Sequence, residues 1–162
     1  MSDEPGEGEA ITAFRGDGYG FLSNLAHADV TFDGAKYPSV EHAFQAAKTL
    51  DPALRARIRA IPRPGGAREA GNAKWMRSAT RPDWGGVKQA VLLQLMRTKF
   101  AQPKFRRKLL ATGDRELRGT GAENNRLGEM LMRVRAELRA AEAERRERPR
   151  PDEPEGPENE RY

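Results

Sequence analysis

A carboxylate, an amide and an ammonium fall on one side of a single helix-forming stretch of this 162-residue chain, Tyr37-Pro38-Ser39-Val40-Glu41-His42-Ala43-Phe44-Gln45-Ala46-Ala47-Lys48. At roughly 100° per residue, Glu41 and Lys48 end up only about 20° apart around the axis and about two turns apart along it. Gln45 is the i,i+4 neighbour of Glu41 on the same stripe. A purely structural amphipathic helix would more naturally carry Leu or Val there. Ala43, Ala46 and Ala47 instead keep the flanks small, so other segments can approach closely. That composition suits a helix lining a pocket. A carboxylate beside an amine suits acid–base or nucleophilic chemistry: the carboxylate stabilises positive charge or activates water, and the amine holds a phosphate or forms a Schiff base. Each residue also has a plainer reading, since a glutamate at a helix start and a lysine at its end both complement the macrodipole.

Three further groups carry candidate chemistry. Trp84 follows Arg81-Pro82-Asp83 at the start of a helix and offers either a flat face for a nucleobase or a core anchor. Trp75 reads as packing. Gly18, Gly20, Ser23 and Asn24 make a glycine-rich turn in which backbone can approach a phosphate and the two polar side chains can add contacts. Asn125 precedes the last helix, where it is either part of an anion site or a plain cap.

The elements that must position these groups are mostly helical. Ile11–Phe14 and Val30–Phe32 read as short strands, and Asp33-Gly34 is a hairpin signal because both central residues of a type I′ turn need positive φ. Ser39 caps the helix that carries Glu41, and Asp51-Pro52 opens a second that stops before Pro62. A short helix over 65–70 ends at Gly71. A longer one over about 84–100 puts Val87, Val91 and Leu95 on one face, and Pro103 begins another that Gly113 closes. The last starts near Leu127 and is expected to bury Leu127, Met130, Leu131, Val134 and Leu138. The expected fold class is mainly α, a compact single-domain helical fold with a minor antiparallel β-ribbon.

Length allows one domain with a real core and not two of ordinary size. We expect a disordered acidic N-terminus over 1–10, the folded domain over 11–140 and a disordered charged tail over 141–162. Cysteine is absent and only His27 and His42 are present, which argues against disulfides, a thiolate nucleophile and a Cys- or His-based metal site. No apolar run approaches the roughly 20 residues that span a bilayer, and the acidic start is unlike a signal peptide, so a cytoplasmic protein is expected. The net charge of +5 is uneven: residues 10–140 hold 24 bases against 12 acids. So basic a core favours polyanionic partners, or reflects an arginine-rich composition on solvated faces.

The motifs, taken in order, resemble the NADAR (YbiA-like) family of N-glycosidases. They are Gly20-Phe21-Leu22-Ser23-Asn24, the Tyr37–Lys48 stretch, Arg81-Pro82-Asp83-Trp84, Lys99-Phe100, Leu109-Leu110-Ala111-Thr112-Gly113-Asp114 and Asn125-Arg126-Leu127-Gly128, spanning about Ala13 to Arg139. The resemblance implies Glu41 and Lys48 as catalytic residues. It implies Gly20, Phe21, Ser23, Asn24, Gln45, Trp84, Asn125, Leu127 and Gly128 as substrate-binding residues, with no cofactor and no metal. It further implies hydrolysis of a ribosyl–base bond, in ADP-ribosylated guanine of DNA or RNA or in a phosphorylated ribosylamino-pyrimidine intermediate of riboflavin synthesis. A non-catalytic binder of such ligands is the alternative of another class. The family's longer loop, with its acidic residue and Trp-Gly pair, is here only Arg118–Asn124, which leaves Asp114 or Glu123 to take over the acidic role, neither of them within the family's pattern.

Overall fold

The computed structural model describes residues 8–119, 121–148 and 151, without the side chains of residues 17 and 122–124. A helical turn, α1 (Gly16–Tyr19), leads into a 3-10 turn at Gly20–Leu22. A ribbon of β1 (Val30–Phe32) and β2 (Ala35–Tyr37) follows, then α2 (Val40–Ala47), α3 (Pro52–Arg59), α4 (Pro64–Gly71), α5 (Lys74–Arg77), α6 (Trp84–Ala101), α7 (Pro103–Ala111) and α8 (Gly121–Glu147). The mainly helical architecture with one antiparallel ribbon is the one expected.

Local chemistry accounts for most boundaries. The ribbon pairs Val30 with Tyr37 and Phe32 with Ala35, and its turn has φ of 46° at Asp33 and 80° at Gly34, as a type I′ hairpin requires. Ser39 Oγ accepts the His42 N–H to cap α2, and Asp51 caps α3 ahead of a proline in its first turn. His42 secures α2 from both ring nitrogens, Nδ1 at 2.7 Å from Ser39 Oγ and Nε2 at 2.7 Å from the Ile61 carbonyl. Because a carbonyl only accepts, Nε2 carries the proton and Nδ1 accepts from the serine.

Two apolar clusters share α6 as a spine. Val91 and Leu95 join Val30, Phe32, Tyr37 and the alanines of α2 in the first. Met96 and Phe100, farther along the same helix, join Ile11, Leu22, Phe105, Leu109, Leu117, Leu127, Leu131 and Val134 in the second. In the second cluster the guanidinium of Arg135, 5% exposed, donates to Thr112 Oγ1 and the Arg115 carbonyl, so its buried N–H groups are met without a carboxylate.

Three expectations change. Ile11–Phe14 is not a strand: Ile11 forms a single parallel bridge to Leu117, too far along the chain for local pattern to reveal. α8 begins at Gly121, before Leu127, so Asn125 lies inside the helix and not at its N-terminus. The same helix continues to Glu147, past the boundary at 140, although its last core-packed apolar residue is Leu138. The termini expected to be disordered lie largely outside the described residues. No described helix is long and apolar enough to cross a membrane.

Candidate active site

A cavity of about 320 Å³ opens where α2, α4, the start of α6 and the start of α8 meet the 23–25 segment. It is lined by Glu41, Phe44, Gln45 and Lys48 from α2, so the stripe read from spacing faces one space. The approach of α4 depends on small residues. Ala43, Ala46 and Ala47 are fully buried, and Ala67 and Gly71 of α4 are buried too. A Cβ on Gly71 would sit 1.8 Å from Gln45 Oε1, so any larger residue at 71 collides with the side chain next to the carboxylate.

Glu41 is the acid of this cavity, the one carboxylate among its described lining residues. It is 6% exposed. Gln45 Nε2 donates to Glu41 Oε1 at 2.7 Å, and Arg68 Nε of α4 stands 3.7 Å from the same oxygen. Both contacts converge on Oε1. The backbone is fixed as well: the Glu41 N–H donates to the Asn24 carbonyl at 3.1 Å, tying the first turn of α2 to the wall that Ser23, Asn24 and Leu25 provide. Lys48 caps the far end of α2, and its Nζ donates to the Gly71 carbonyl at 3.4 Å.

The opposite wall comes from α6 and α8. Trp84, half-buried, meets Phe44 with ring centroids 5.1 Å apart and tilted by 55°, and Lys88 follows one turn later. Arg126 and Leu127 close the cavity from α8. With Lys48, Arg68, Lys88 and Arg126 around a single carboxylate, the field in the cavity is positive, which draws an anionic ligand to a carboxylate placed to meet developing positive charge.

Seven residues singled out in the sequence therefore line one space: Glu41, Lys48, Gln45, Ser23, Asn24, Trp84 and Leu127. Four do not. Gly20 and Phe21 lie behind the wall, Phe21 packing on the second cluster, and Asn125 is exposed on α8. Gly128 is a packing residue, since a Cβ there would come within 2.0 Å of the Leu117 carbonyl oxygen. Asp114, 94% exposed, pairs with Arg139 and is not a lining residue, and the Glu123 side chain lies outside the described residues. Sequence reading missed Arg68, Asn72, Lys88 and Gln89. Lys88 had a signal, standing one turn after Trp84 on the same helical face. No described cluster of three or more His, Asp and Glu could hold a metal ion.

The sequence model of the NADAR domain matches residues 13–139. The chain belongs to the NADAR family. Among its curated relatives, the N-glycosidase YbiA of Escherichia coli (strain K12) is 36% identical over 135 residues, 75% of this chain and 83% of that one. A riboflavin biosynthesis protein of Vibrio vulnificus (strain YJ016) is 32% identical over 135 residues, but those make up only 36% of its length. The fold agrees as well. The NMR structure of E. coli YbiA superposes with a TM-score of 0.74 at 31% identity, covering 90% of this NADAR chain and 92% of that one.

Proposed function

We propose that this NADAR protein, a hydrolase of N-glycosyl bonds like its named relatives, removes ADP-ribose from guanine in nucleic acid. The observation that carries the reading is a buried carboxylate, Glu41, held by a buried amide and surrounded by four basic side chains beside an aromatic pair. Cleavage of a ribosyl–base bond passes through an oxocarbenium-like state, and the Glu41 carboxylate is assigned to the carbon where that charge develops. Arg68, Lys88 and Arg126 bind phosphate oxygens, and Trp84 offers a face to the base, a stacking contact worth about 1–3 kcal/mol. The excess of bases over residues 10–140 supports a polyanionic substrate.

Lys48 has two possible duties, and they are separable. As nucleophile, its neutral amine bonds to C1 of the sugar as the bond to the base breaks, the base leaving with one of the amine's protons. The sugar ring then opens, the C1–ring-oxygen bond breaking as that oxygen takes the remaining N–H proton, to give an imine, which water hydrolyses to restore the amine. As phosphate ligand it stays charged throughout. Borohydride should trap an adduct of ADP-ribose mass at Lys48 only in the first case. Lys48→Arg, which keeps the charge but cannot form an imine, should retain much of the rate only in the second. An active Lys48→Arg enzyme with no trapped adduct assigns hydrolysis to Glu41 and water.

The name of the Vibrio relative favours a second substrate, a phosphorylated ribosylamino-pyrimidine. Incubating the protein separately with an ADP-ribosylated oligonucleotide and with that metabolite class, and weighing the released sugar by mass spectrometry, decides between them. A protein that protects the oligonucleotide and releases no sugar from either is a binder.

A further inference from the structure

Behind the cavity lies a buried amine that the reaction above does not use. Lys99 of α6 is 1% exposed, and its Nζ donates to the Phe21 carbonyl at 2.6 Å and to the Ser23 carbonyl at 2.9 Å. The rings of Phe100 and Phe105 lie 5.0 and 5.4 Å from Nζ, within cation–π range. No ion pair to a carboxylate is found for it among the described residues, and burial alone pushes its pKa down to about 7. Elsewhere this face of α6 carries Leu95 and Met96, and an apolar residue at 99 would pack there with no desolvation penalty. What the amine adds is two hydrogen bonds to the backbone of the 21–23 turn, and its neutral form keeps two N–H donors for the same two carbonyls.

That turn is the back of the site wall. Ser23 and Asn24 line the cavity, and the Asn24 carbonyl accepts the Glu41 N–H. Gln102, just past the end of α6, fastens the far end of the same segment by donating to the Asp29 carbonyl at 2.8 Å. Lys99 itself is not a lining residue.

We propose that Lys99 is a positioning residue for the N-glycosidase site: its amino group clamps the Phe21–Ser23 turn and thereby fixes both the Ser23–Asn24 wall and the backbone contact that holds Glu41. The inference rests on the reading of the cavity as the active site, so its test includes a readout that needs no substrate. In Lys99→Met, hydrogen exchange followed by NMR should show the Glu41 amide exchanging at least tenfold faster while the Leu95 amide, in the core of the same helix, is unchanged. Lys99→Gln, shorter but still an N–H donor, should give an intermediate rate at Glu41, more than threefold faster than wild type. On an ADP-ribosylated oligonucleotide, kcat should fall at least tenfold in Lys99→Met with KM changed less than threefold. Equal acceleration of both amides, or none at Glu41, overturns the proposal. If Lys99→Met does not fold, the same comparison in Lys99→Gln decides it. Selective acceleration at Glu41 with no turnover by wild type leaves the clamp standing and removes the substrate reading instead.

Discussion

The helix contact beneath the cavity and the packing around α7 and α8 are built from side chains of opposite size. Around α2, close approach is set by alanines and by Gly71, and the groups between the helices are polar: Ser39, Glu41, His42 and Gln45 are all buried there. Around α7 and α8 the packing is Leu, Met, Phe and Val, with the polar side chains of Lys99, Thr112 and Arg135 buried among them. The contact between α2 and α4 is therefore harmed chiefly by adding atoms, whereas most packed positions around α7 and α8, Gly128 apart, are harmed by removing them. The difference shows why a site grows where side chains are small: short residues let α4 come close enough for the Glu41 carboxylate to meet the Arg68 guanidinium as well as the Gln45 amide, while the Glu41 backbone N–H reaches the Asn24 carbonyl. A core of large residues fills its space with contacts and leaves none for a ligand.

Replacing the carboxylate should separate the two regions most sharply. Glu41→Gln keeps the shape and an acceptor for Gln45 but removes the charge, so kcat should drop by about 10³-fold, or about 4 kcal/mol of transition-state stabilisation, with the melting temperature nearly unchanged. Retention of more than about a tenth of the rate, a loss under about 1.4 kcal/mol, would take Glu41 out of the chemistry. In the other region, Leu131→Ala empties a fully buried site and should lower unfolding free energy by about 2–5 kcal/mol in denaturant titrations, leaving kcat of the folded fraction intact.

The spine between the two regions should show in the pH dependence of stability. Lys99 holds its proton only below about 7 when folded, against 10.5 ordinarily. Between those values the unfolded chain binds the proton and the folded chain does not, so this group makes stability rise with pH across that window. Between pH 7 and 9 the gain is about 2 kcal/mol, seen as a higher urea midpoint in wild type and absent in Lys99→Met. The smallest effect is expected at the C-terminus, where deleting 141–162 should shift unfolding free energy by less than about 0.5 kcal/mol because the last packed apolar residue is Leu138. A larger shift would mean that the final turns of α8 contribute to one of the clusters.

What the sequence revealed follows the range of the interactions involved. The hairpin, the caps at Ser39 and Asp51 and the apolar stripe of α8 are decided within a few residues, and each was legible. The pairing of Ile11 with Leu117 is decided across most of the chain and was misread as a strand. The site divides in the same way. Glu41, Gln45 and Lys48 share one helix, so spacing alone put them on one face. Arg68 and Asn72 reach the cavity only because α4 packs on the alanines of α2, and before folding a lone arginine looks like any other solvated one. Gly20, Phe21 and Gly128 lie within three residues of lining residues in sequence, and only the packing shows them supporting the wall and the helix contact instead.

The contact between Gly71 and Gln45 has an inherited side. Because a Cβ at 71 would overlap the amide oxygen at 45, the two positions form a single mutational unit. Alanine at 71 is harmful while glutamine stands at 45, since the amide must turn away from Glu41 and the carboxylate loses its donor. Once 45 is itself shortened, the same alanine fills space that has just been vacated and becomes neutral or helpful. The sign of one substitution thus depends on whether the other came first. While glutamine stands at 45, glycine at 71 is what leaves its amide on Glu41, and a single step away from that pair in either order costs Glu41 its donor.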